Sequence, residues 1–182
     1  MKSSESQDQS NDVKALLHRM QGPLIRYAVL ITGDLERARD VVQDTFLQLC
    51  SENRASLNGH LEPWLFTVCR NRALDVRRKE DRMNPLTETT AEPSSDSPDA
   101  LICMEQTETL QSALKILGTL PDSQQEVIRL KFQNELSYKE ISQVMGLSVT
   151  NVGFLIHVGL KTIRQTMLVQ ARENTKVLRR IK

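Results

Sequence analysis

Aromatic residues are scarce in this chain: Phe, Trp and Tyr together make up 4% of its 182 residues. Glycine is scarce too, at 7. A β-sandwich or barrel of this length needs strand-forming aromatics and Gly-rich turns, so neither is expected. No apolar run approaches the ~20 residues that a membrane span requires. The opening MKSSESQDQSND is polar and holds no signal-peptide core, which gives a cytoplasmic location as the expectation. The three cysteines, Cys50, Cys69 and Cys103, form no C-x-x-C pair, and His18, His60 and His157 fall at no ligand spacing. Neither a zinc or disulfide framework nor any other metal or cofactor is therefore expected. Gly-rich phosphate loops and a supported Ser/His/Asp grouping are also missing, so the chain does not read as an enzyme.

What is present is enough for a core: 39% hydrophobic and 26% charged residues. The net charge of +1 conceals a pattern. Residues 1–83 carry 13 basic and 12 acidic side chains, residues 84–110 none and six, and residues 111–182 11 and five. A basic C-terminal part suggests a polyanionic partner. The stretch NPLTETTAEPSSDSPDA (84–100) is acidic, has three prolines and almost no large apolar residue, and reads as a linker. The expected architecture is all-α, with two small helical domains at 13–83 and 107–170. A flexible acidic linker at 84–106 joins them, and a basic tail at 171–182 follows.

In the N-terminal part, Pro23 suits the first turn of a helix, Gly33 its stop and Asp34 the cap of the next. In that next helix Ala38, Val41, Val42, Thr45, Phe46 and Leu49 recur at three- and four-residue steps and make a buried stripe. The opposite face carries Glu36, Asp40, Gln43, Asp44 and Leu47, where the leucine is out of place and suggests a docking strip. Pro63 suits the start of a further helix. Its apolar face is Leu65, Val68, Cys69, Ala73 and Val76, with Trp64 flanking as core and Arg72 inside the stripe, snorkelling or paired. Arg70, Asn71, Leu74, Arg77 and Arg78 lie opposite, and arginine is the side chain best suited to bidentate phosphate and base contacts.

The C-terminal part reads as helix, Gly-containing turn, helix. ETLQSALKILGTL and DSQQEVIRLKFQ are amphipathic. Ser137 and Glu140 then form a capping box, Gly146 turns the chain, Leu147 plugs the core and Ser148 caps a helix from Val149 to about Gln170. Val152, Ile156, Gly159, Ile163 and Met167 face inward. Thr150, Phe154, His157, Lys161 and Arg164 face outward, where a recognition helix meets DNA.

Three segments together resemble the extracytoplasmic-function (ECF) sigma factors, the small two-domain sigma subunits of bacterial RNA polymerase. ARDVVQDTFLQL resembles their region 2.2, WLFTVCRNRALDVRR their regions 2.3 to 2.4, and LPDSQQEVIRLKF with LSYKEISQVMGLSVTNVGFLIHVGLKTIR their region 4. The resemblance implies promoter recognition, DNA melting and transcription initiation. It implies that Asp40, Gln43, Asp44 and Leu47 dock on the clamp of the polymerase β′ subunit. Arg70, Asn71, Arg77 and Arg78 would line the −10 element, and the loop from Ser51 to Glu62 would help hold an extruded base. Thr150, Asn151, His157 and Lys161 would meet the −35 element, with an anti-sigma factor as a further partner. One departure stands out: the middle of the recognition helix, basic in the family, here reads Gly153, Leu155 and Val158. A helix-turn-helix regulator that does not bind core polymerase is the alternative, but it leaves the first 83 residues without a role.

Overall fold

Asp34 accepts a hydrogen bond from the Arg37 amide at 2.8 Å, and Gly33 just before it takes a φ of 71°. This pair ends α1 (Lys2–Thr32) and opens α2 (Leu35–Ser51), and α3 (Leu61–Met83) follows. The computed structural model describes residues 2–52, 60–83 and 108–180, with side chains over 15–52, 60–83 and 109–172. Cys103, the linker 84–106, residues 53–59 of the Ser51–Glu62 loop and the side chains of the tail beyond Arg172 lie outside them. The chain divides into two compact units, and the described residues form seven helices and no strand.

The three N-terminal helices bury Leu24, Tyr27 and Ala28 of α1, Ala38, Val41, Val42, Thr45 and Leu49 of α2, and Leu65, Phe66, Cys69 and Ala73 of α3. Tyr27 and Phe66 meet edge to face at 5.3 Å between centroids. Ion pairs Arg19–Glu62 at 2.5 Å and Arg37–Glu80 at 2.6 Å tie α1 and α2 to α3 at the surface, where each is worth at most about 1 kcal/mol.

Several expectations change here. Pro23 does not start a helix; α1 runs from Lys2 and passes through it. An internal proline costs about 3 kcal/mol. Burial of Met20, Leu24, Tyr27 and Ala28 on both sides of it offsets that cost. Phe46, Val68, Val76 and Trp64 are only half-buried, while Phe66 joins the core. Arg72 is exposed and borders a charged cleft with Asp40, Asp44 and Asp75, so its charge stays in water.

The Cys69 thiol donates to the Leu24 carbonyl at 3.9 Å, and burial pushes its pKa from 9.0 up to about 12, against a smaller lowering by its hydrogen bond with Thr45. The folded state therefore holds the thiol neutral where the unfolded chain would ionise it. This thiol leaves stability unchanged below pH 9; above it, stability falls by about 1.4 kcal/mol per pH unit until the folded-state value is reached. The expected result is that exposed Cys50 alkylates at pH 8 while Cys69 reacts only on unfolding, read by mass spectrometry of thiol-labelled peptides. Labelling of Cys69 at the Cys50 rate would contradict its burial.

In the C-terminal unit α4 (Glu108–Leu117) is followed by α5 (Asp122–Phe132), α6 (Tyr138–Met145) and α7 (Val149–Arg180). The Gln125 side chain donates to the carbonyls of Gly118 (3.1 Å) and Leu120 (2.8 Å), tying down the turn after α4. Ser137 and Glu140 form both bonds of the capping box, at 3.3 and 2.7 Å. Gly146 takes a φ of 66°, and α6 and α7 meet at a bend of 102°, within the helix-turn-helix range. Ser148 accepts from the Asn151 amide at 3.2 Å. Val152, Ile156 and Gly159 are buried as expected, but Leu147, Ile163 and Met167 are half-buried.

Gly159 and Gly153 serve different purposes. A Cβ at Gly159 would lie 2.6 Å from Ile128 Cδ1, so α5 and α7 touch there. A Cβ at Gly153 would lie 3.5 Å from the Tyr138 ring, an ordinary contact. Gly159→Leu is expected to destabilise this unit by about 1–3 kcal/mol through overpacking. Gly153→Ala is expected to stabilise it by about 0.5–1 kcal/mol by restricting the unfolded backbone. Denaturant midpoints of the two full-length variants check both signs.

Candidate polymerase and promoter interfaces

Asp40, Gln43, Asp44 and Leu47 are all exposed on α2, Leu47 at 61%. They form a ridge between two clefts rather than one uniform strip. On the α1 side, Gln43 and Leu47 border an apolar groove of about 630 Å³ with Leu17, Ile25, Val42 and Phe46. On the α3 side, Asp40 and Asp44 border a charged cleft of about 370 Å³ with Arg72, Arg78, Lys79 and Arg82. Sequence periodicity finds the ridge because its members share one face of one helix. It misses Leu17, Ile25, Lys79 and Arg82, which reach the ridge from other helices and carry no local signal.

On α3, Asn71, Arg77 and Arg78 are exposed and Arg70 is half-buried. Arg78 stands 3.4 Å from Asp75 one turn away, an exposed pair that costs little to open. Thr150, Asn151, His157 and Lys161 are exposed on α7, as are Phe154 (62%) and Arg164. Gly153, Leu155 and Val158 are half-buried. Gly153 faces Tyr138 and is not an open outward position. Among the described residues, no group of three or more His, Cys, Asp or Glu side chains is placed to hold a metal, and no single helix is long and apolar enough to cross a membrane.

Residues 16–83 match the family model described as sigma-70 region 2, and residues 110–163 match that described as sigma-70, region 4. The chain belongs to the sigma-70 family. It is an RNA polymerase sigma factor of the ECF type, acting in transcription initiation. This sigma factor is 26% identical over 178 residues to the RNA polymerase sigma factor YlaC of Bacillus subtilis, covering 92% of this chain and 98% of YlaC. It is 27% identical to the ECF sigma factor SigM of the same organism over 84% of this chain and 86% of SigM. Identity to the ECF sigma factor SigL of Mycobacterium tuberculosis is 28%, over 85% of this chain and 88% of SigL. Its fold is that of the sigma factor RpoE solved in complex with the anti-sigma factor NepR from Bartonella quintana. The TM-score is 0.61 at 22% identity, over 87% of this chain and 98% of the solved one. The match to region 2 gives the first 83 residues a role, so the alternative of a polymerase-independent regulator is not favoured.

Proposed function

We propose that this sigma factor binds core RNA polymerase through the α2 ridge Asp40, Gln43, Asp44 and Leu47, with the β′ clamp as the docking partner. The observation that carries this is Leu47, 61% exposed in a face otherwise made of acids and an amide. Burying such a side chain in an interface is favourable by about 1.5–3 kcal/mol, and the flanking acids set register and steer encounter. Arg70, Asn71, Arg77 and Arg78 contact the −10 element, where guanidinium groups bridge phosphates and base edges. Extruding a non-template base costs a few kcal/mol, offset by these contacts and by pocket contacts to the base. Thr150, Asn151, His157 and Lys161 meet the −35 element in the major groove, with Asn151 and His157 reading bases.

The protein acts by binding in the cytoplasm and performs no bond chemistry itself. An anti-sigma factor, the kind of partner seated on the Bartonella protein, is expected to regulate it. Run-off transcription tests the whole reading. Core polymerase with this chain should yield defined transcripts from genomic fragments that core alone does not give. Identical products with and without the chain would sink it.

A further inference from the structure

The charged cleft between α2 and α3 is lined by two rows of opposite sign that do not pair. Asp40 and Asp44, one turn apart, belong to α2, and Arg72, Lys79 and Arg82 belong to α3. All five side chains are exposed. The two other cations of the cleft have acids of their own: Arg37 pairs with Glu80 at 2.6 Å and Arg78 with Asp75 at 3.4 Å. Among the described residues, no ion pair or side-chain hydrogen bond joins Asp40 or Asp44 to Arg72, Lys79 or Arg82. Water serves these charges in the free protein, where closing an exposed pair gains little.

A partner seated on Leu47 changes that balance. It covers Asp40 and Asp44 on the same ridge and takes water from the cleft that they border. Cations left there without a counter-charge are costly to desolvate. A uniformly basic partner surface would answer the two aspartates and set like charge against Arg72 and Lys79. We infer that the clamp surface carries both signs, with bases against Asp40 and Asp44 and an acidic side chain entering the cleft against Arg72 and Lys79. These two cations, two turns apart on one face of α3, thereby select core polymerase and stand apart from the −10 set. The inference rests on the reading of the α2 ridge as the docking surface.

The test measures the affinity of the full chain for core polymerase. Arg72→Glu is expected to weaken it at least about tenfold, and Arg72→Gln about three- to tenfold. Both should keep the wild-type melting curve, since Arg72 has no partner to lose in the free protein. Acids on the clamp of core polymerase are then changed to lysine one at a time. One such change should restore binding of Arg72→Glu and weaken binding of the wild-type chain. Wild-type affinity in Arg72→Glu and Lys79→Glu, with Leu47→Asp still impaired, would overturn this inference and leave the ridge reading intact. So would a loss that no clamp reversal restores, or normal core binding with reduced promoter opening, which would give the cations to DNA. Wild-type affinity in Leu47→Asp would overturn the ridge reading, and this inference with it.

Discussion

Asp44→Arg and Leu47→Asp are each expected to weaken binding of core RNA polymerase by at least about tenfold while leaving the N-terminal unit folded. Both side chains are exposed, and neither contributes to the core built on Leu24, Leu49, Leu65 and Phe66. Loss of one buried leucine from an interface removes about 1.5–3 kcal/mol, and a carboxylate in its place adds a desolvation cost. Asp44→Arg adds a cation to a cleft that already holds Arg72, Arg78, Lys79 and Arg82, and inverts the charge offered to the clamp. Copurification with core enzyme reads the binding, and circular dichroism reads the fold. Mutants that retain wild-type copurification would show that this ridge is not the docking surface.

Replacing both Arg77 and Arg78 by alanine is expected to reduce open-complex formation on the order of a hundredfold, with little change in polymerase binding. Each phosphate or base contact is worth about 1–3 kcal/mol, and both side chains are exposed. Of the fold's printed contacts at Arg78, the variant gives up the exposed 3.4 Å pair with Asp75, worth at most about 1 kcal/mol. Permanganate reactivity of unpaired thymines reports the opening. Wild-type reactivity in the double mutant would remove this face from the −10 contact. A parallel loss of core binding would instead assign the arginines to the polymerase side, since Arg78 borders the same cleft as Asp40 and Asp44.

Where a helix starts or stops, the deciding groups lie within four residues of each other, and the sequence shows them directly. Asp34 and the Arg37 amide, Ser137 and Glu140, Ser148 and the Asn151 amide, and the positive φ of Gly33 and Gly146 all follow from local chemistry. The same locality makes the α2 ridge and the outer line of α7 legible, since each belongs to one face of one helix.

Burial is a different matter, because it depends on which helix lies alongside. Pro23 sits within a helix because Met20, Leu24, Tyr27 and Ala28 around it are buried in the unit's core. Trp64 and Phe46 stay half-buried and Phe66 is covered, although all three are large and aromatic. Arg72 turns toward a cleft it shares with α2, and Gly153 faces a tyrosine fifteen residues earlier in the chain. The family, most helix caps and the candidate faces were thus written in short-range pattern, but not the course of α1 through Pro23 or of α7 past Gln170 to Arg180. The two clefts beside the α2 ridge and the Tyr138–Gly153 contact exist only once separate helices meet, for no spacing along a single helix encodes the side chain of another.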